Sequence, residues 1–161
     1  MGRTWLVLAA AALAACSPAG PDGGCTAIGS PAGVGLALAP ADAARVSTVA
    51  LRICWDGACR TAEPVLAPSS SAVPGDCDAA DPDAPCAASA SPTGGKHGFA
   101  DVPQLPEKPV QITVTLRDAS GARLLERTAT VTPKSTYPNG PDCGSGGPQA
   151  QLKVSGGLLR G

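Results

Sequence analysis

The chain has 161 residues, with 20 Gly, 17 Pro and only 2% aromatic side chains, so residues that break helices are too frequent for a helical bundle. Twelve basic against thirteen acidic side chains give a net charge of −1, which excludes the basic footprint of a nucleic-acid binder and an electrostatic hold on anionic lipid. Leu, Val, Ile and Phe supply 25 of the 146 residues from Cys16 onward, below the level of about one-fifth at which an unsupported chain stays disordered, so a single domain here needs bracing beyond its core.

Residues 1–15 have the organisation of an export signal. Arg3 carries a positive charge, Trp5 to Leu13 is an unbroken apolar run, and Ala14-Ala15 are small enough to thread a peptidase. The run is far short of the roughly 20 residues that a membrane-crossing helix needs. Its end, Leu13-Ala14-Ala15-Cys16, resembles the lipobox of bacterial lipoproteins processed by signal peptidase II. That resemblance implies that Cys16 is the lipid attachment site, its sulfur bearing a diacylglycerol and the chain cut just before it. Cleavage at the small-x-small site Ala12-Leu13-Ala14 is the alternative, and it leaves Cys16 a free thiol. Cysteine parity favours the lipid, because seven Cys less one leaves six that can pair completely. Two acyl chains make a stable anchor where one is marginal. The expected address is therefore the outer face of the cell membrane, reached through the lipid without spanning the bilayer. Residues 16–24, rich in Gly and Pro with no periodicity, read as the lipidated Cys and a flexible tether. Abundant Ala and eight Arg to four Lys are also similar to the small lipoproteins of high-GC Gram-positive bacteria, a likeness that implies an address and no activity.

From residue 25 to 155 the pattern predicts one all-β domain. Val34, Leu36 and Leu38 alternate with Gly35 and Ala37; Val49, Leu51, Ile53 and Trp55 alternate with Ala50, Arg52 and Cys54; Ile112, Val114 and Leu116 alternate with polar residues. This period of two gives one oily and one wet face per strand. Asp118-Ala119-Ser120-Gly121 predicts a turn, and Arg123 to Thr132 its partner strand, with Leu124-Leu125 leaving the register open. Phe99 to Val102 and Gln149 to Val154 are two further candidates. Six or seven strands with no helix favour an antiparallel β-sandwich over a closed barrel. The run Phe99 to Pro106 followed by a long alternating strand resembles immunoglobulin-like and transthyretin-like modules, although the 111–117 strand lacks the Cys of an immunoglobulin pair. Residues 67–96, made of Ser, Ala, Pro and Asp, read as an irregular loop. Within it Ser69-Ser70-Ser71 and Ser89 to Thr93 have the composition of O-glycosylated stretches. Asp76, Asp78, Asp81 and Asp83 around Cys77 fail the calcium-loop template and read as a solvated acidic loop. Residues 156–161 are expected to be a tail.

Exported chains meet oxidising conditions, so six Cys predict three disulfides, with fifteen possible pairings. Cys54-Trp55-Asp56-Gly57-Ala58-Cys59 centres on Asp-Gly, the preferred type I′ hairpin turn. That turn sets Cys54 opposite Cys59 at bonding distance. Cys77 and Cys86 bracket the acidic loop, and Cys25 with Cys143 follows by elimination. With one His and no paired C-x₂-C spacing, no metal site is expected.

No catalytic residue is expected either. His97 is the one imidazole available as a base, in the polar stretch Gly94 to Gly98. Gly95-Lys96 lacks the phosphate-loop spacing, and Gly144-Ser145-Gly146-Gly147 lacks that of a nucleophile elbow and reads as a hinge. Trp55 shares the parity of the core residues and reads as a core plug. No cofactor is implied. The expected function is a non-catalytic, membrane-anchored sandwich that binds an envelope protein or glycan through its loops. The other class is an envelope enzyme or transporter accessory acting on wall material or a small ligand.

Overall fold

Aliphatic residues spaced two apart bury one side of each strand, and in the computed structural model two sheets pack on those sides. The structure describes residues 25–75 and 87–161, among which there are ten strands and one turn of α-helix. They are β1 (Gly33–Leu38), α1 (Pro40–Ala43), β2 (Thr48–Trp55), β3 (Ala58–Ala62), β4 (Ala67–Pro74), β5 (Ala88–Asp101), β6 (Val110–Arg117), β7 (Arg123–Val131), β8 (Lys134–Ser135), β9 (Pro148–Ser155) and β10 (Leu158–Arg160). One sheet has the order β10-β9-β1-β5-β4, with β8 beside β9; the other is β3-β2-β6-β7. The protein is a disulfide-braced β-sandwich, largely antiparallel.

The strands predicted from alternation face as expected. Val34, Leu36, Leu38, Leu152 and Val154 of the first sheet and Leu51, Ile53, Ile112, Val114 and Leu116 of the second are all buried. They form one cluster with Val46, Val102 and Leu105. The core is aliphatic throughout, and each of these side chains contributes roughly 1.5–3 kcal/mol on burial. Strands β2 and β3 form a hairpin in one sheet, whereas the second and third strands of the immunoglobulin order lie in different sheets. The arrangement thus departs from the immunoglobulin order.

Five local expectations are corrected. The pair β1–β9 is parallel, Gly33 opposite Gln149 and Leu38 opposite Val154, because the segments leading into the two strands are tied together by Cys25–Cys143 and both strands therefore start from the same end. Residues 156–161 are no tail. Gly156 and Gly157, at φ 59° and 73°, turn the chain back so that β10 pairs with the end of β9, as a Gly-Gly turn allows. The irregular reading of 67–96 fails at both ends, where β4 and β5 pair from Ala67–His97 to Pro74–Ala88. A ladder of backbone hydrogen bonds needs no hydrophobic period, so small side chains hid it. A helix is present, if only for one turn, with Pro40 in its first turn, where a missing N–H costs nothing. Gly146 and Gly147 are a close-packed crossing and no hinge: their N–H groups donate to the Thr136 and Ser30 carbonyls at 2.7 Å each.

The open register at Leu124-Leu125 is resolved by a bulge. Leu116 faces Leu125 and Arg117 faces Arg123, so Leu124 is the extra residue and both leucines stay half-buried against the core.

Candidate functional site

The two ends of the sandwich differ, and strand direction shows how. Strand β1 begins at Gly33, opposite Asp101, and ends at Leu38, opposite Lys96. Around its beginning lies the first described segment, 25–32, clamped to the stretch before β9. Cys25 bonds Cys143 at a Cα separation of 5.4 Å. Asn139 Nδ2 donates to the Ile28 carbonyl at 3.0 Å, and Gln149 Nε2 to Ser30 Oγ and the Pro31 carbonyl at 2.9 Å each.

The β2–β3 turn sits at the same end. Asp56 and Gly57 both have positive φ, 49° and 76°, as a type I′ turn requires. Trp55 faces Ala58, Cys54 faces Cys59, and the two cysteines are bonded at a Cα separation of 4.1 Å. Trp55 is half-buried against the core, with the Arg60 guanidinium 5.5 Å from its ring centre. Arg60 also donates to Gln104 at 3.1 Å, and Lys108 pairs with Asp56. Trp55 therefore closes this end of the core, its ring face covered by a cation. Cys16, Cys77 and Cys86, together with the acidic residues around Cys77, lie outside the described residues.

At the opposite end stand α1, the β6–β7 turn and the β9–β10 turn. A shallow cleft of about 150 Å³ opens there, lined by Asp42, Arg45, Val46, Leu116, Leu124 and Leu125. Asp118 makes the β6–β7 turn. Its Oδ1 accepts from Ser120 Oγ at 2.7 Å, Ser120 N at 2.9 Å and Ala122 N at 3.0 Å. The Ser120 hydroxyl above all, with those two amides and the nearby Arg45 charge, holds the Asp118 carboxyl below its ordinary value of 3.8, outweighing the desolvation that opposes it.

From this second end a two-stranded ribbon projects. Strand β1 stops at Leu38, opposite Lys96, while β5 extends eight residues further, to Ala88, with β4 as its partner. Eight residues of strand are about 25 Å. A register shift between Pro68 and Ser70 marks its base; there Gly94, at φ 78°, sits against Pro40, and Lys96 Nζ donates to the Val46 carbonyl. Beyond the base every residue from Ser70 to Gly75 and from Ala87 to Gly94 is exposed. The pairs Ser71–Ser91 and Val73–Ser89 share one face, and Ser70–Pro92, Ala72–Ala90 and Pro74–Ala88 share the other. No charged residue occurs in 67–75 or 87–95.

His97 lies at the ribbon's root on β5, exposed, its Nδ1 3.1 Å from Ser69 Oγ. It lines neither the α1 cleft nor the hollow at Trp55. No cluster of three His, Cys, Asp or Glu that could hold a metal ion occurs among the described residues, and none of their helices is long and apolar enough to cross a membrane. Reasoning from sequence missed the ribbon, although Pro68, Pro74 and Pro92 were legible as residues that only edge strands accept. No protein-family model, curated protein or solved structure matches the chain.

Proposed function

We propose that the protein is a lipid-anchored extracytoplasmic lipoprotein whose non-catalytic β-sandwich holds its ribbon out toward an envelope protein or glycan. The observation that carries this reading is the polarity of the domain. Cys25, nine residues after Cys16, is fixed by its disulfide at the end where β1 begins, and the ribbon leaves the end where β1 stops. An anchor on Cys16 therefore holds the far end of the domain, and the ribbon with it, away from the membrane surface. Exposed backbone on a rigid support suits recognition by strand addition or loop contact.

The test has two parts. Mass spectrometry of the mature protein from its own host is expected to find an acylated N-terminal Cys16, and an unacylated N-terminus at another residue overturns the anchor. Ser71→Cys in intact cells is expected to react with a membrane-impermeant maleimide, and its protection there, with labelling after lysis, overturns the display. His97→Ala is expected to leave partner binding unchanged; loss of a measured activity by a hundredfold with the fold intact supports the enzyme reading instead.

A further inference from the structure

We infer that Ser71, Ser89 and Ser91, on one face of the β4–β5 ribbon, are acceptors for O-linked sugar. The two Ser-rich stretches lie some twenty residues apart in sequence, and the ladder brings them together, Ser71 opposite Ser91 and Ser89 two positions along. All three side chains are exposed, and their hydroxyls make no hydrogen bond within the described protein. Some hydroxyls elsewhere are engaged, Thr113 with Thr128 at 2.9 Å, Thr115 with Glu126 at 3.4 Å and Ser120 with Asp118, and what sets the three ribbon serines apart is that they stand together on one face. An acceptor must be extended, reachable and free to give up its proton, and these three serines meet all three requirements.

Of the devices that keep bare strands soluble, the ribbon has proline and lacks charge. Exposed edges are ordinarily guarded by charge, by proline or by a covering element. Here the edges have Pro68, Pro74 and Pro92 but no Lys, Arg, Asp or Glu through 67–75 and 87–95, and among the described residues none covers either face beyond the base. Hydrated sugars on the Ser71 face supply the missing bulk and polarity, and leave the Ala72, Ala90 and Pro92 face open to a partner.

The modification is a group transfer from a lipid-phosphate-linked hexose, with a transferase of the envelope. The serine Oγ attacks the anomeric carbon and forms the glycosidic C–O bond. The bond from that carbon to the phosphate oxygen breaks, lipid phosphate departs with the electron pair, and the hydroxyl proton passes to the transferase's base. The reaction requires export of the chain and does not require a lipid on Cys16.

The test is peptide-level mass spectrometry, with electron-transfer fragmentation, of the protein from its own host. Whole-hexose increments are expected on Ser71, Ser89 or Ser91, and complete loss of those increments is expected in the variant carrying Ser71→Ala, Ser89→Ala and Ser91→Ala. Unmodified ribbon peptides, or sugar confined to Thr113 and Thr128, overturn the inference, and the wild-type protein alone decides this whatever the variant's stability. The N-terminal peptide of the same digest reports the lipid separately, so loss of the anchor reading and loss of this one are distinguishable.

Discussion

Asp42 holds the last hairpin of the chain in place: its two carboxylate oxygens accept the amides of Gly156 at 2.8 Å and Gly157 at 3.0 Å. The acceptor sits on the single turn of α1, and the donors form the turn between β9 and β10. Hydrogen bonds to a charged acceptor are stronger than neutral ones. Asp42→Ala is expected to cost about 1–2 kcal/mol in denaturant unfolding and to speed amide exchange in β10 selectively. Unchanged exchange at Leu158 to Arg160 would show that β10 is held by the ladder alone.

The two disulfides differ in what they close. Cys25–Cys143 spans 118 residues and Cys54–Cys59 spans 5. On the loop-closure account, removing the long bond costs about 5 kcal/mol and removing the short one about 2 kcal/mol. The Asp56-Gly57 turn preserves the hairpin without its clip, which widens the gap. Denaturant midpoints of the two double Cys→Ser variants are expected to rank in that order. Non-reducing peptide mapping is expected to add a third linkage, Cys77 to Cys86, because Gly75 N–H donates to the Ala87 carbonyl at 2.8 Å and so brings together the described ends that flank them.

Gly147 has no room for a side chain. A Cβ there would lie 2.3 Å from the Ala32 amide nitrogen, whereas one on Gly29 meets nothing within 4 Å. Gly147→Ala is expected to cost about 2–3 kcal/mol by forcing the N-terminal segment away from the stretch before β9. Gly29→Ala, measured beside it by thermal unfolding, is expected to stay within about 0.5 kcal/mol of wild type.

Acid weakens the Asp118 turn in a definite direction. The folded carboxyl titrates below its ordinary value, so its contribution is complete above the unfolded value of about 4 and is lost as pH falls through the lower folded one. Asp118→Asn keeps an acceptor and removes the charge. Wild type is expected to exceed the variant in unfolding midpoint at neutral pH, and the difference is expected to shrink on acidification below about pH 4. Asp118 stands at a surface turn where solvent screens its charge, so the effect is small and is read as a change of slope with pH. A difference constant from pH 7 to pH 2 would assign the turn to neutral hydrogen bonds.

Legibility in the sequence followed hydrophobic contrast. Val110–Arg117 and Thr48–Trp55 announced themselves because buried and exposed positions differ in chemistry, and the β2–β3 clip followed from a turn that only residues tolerating positive φ can make. In the ribbon, Ala opposes Ala and Ser opposes Ser, so a strand there has two similar faces and no period to read. The β9–β10 turn did have its signal, Gly156-Gly157 before Leu158-Leu159. The parallel pairing of β1 had none, since no local pattern states which distant strand a segment will join. For the candidate site the same division holds: the serines were visible as composition, and their meeting on one face came only with the register.

The placement of β1 between β5 and β9 sets an order of events in time. Sheet β3-β2-β6-β7 needs nothing beyond residue 131, and two of its three pairings are hairpins between consecutive strands, quick to close. Strand β1 can find β5 midway through synthesis, but its other edge stays bare until residues 148–155 arrive, and the Cys25 thiol meanwhile has no Cys143. A chain made from its N-terminus thus has its first strand waiting for its penultimate one. The long disulfide can close only once Cys143, 118 residues after Cys25, has been added to the chain.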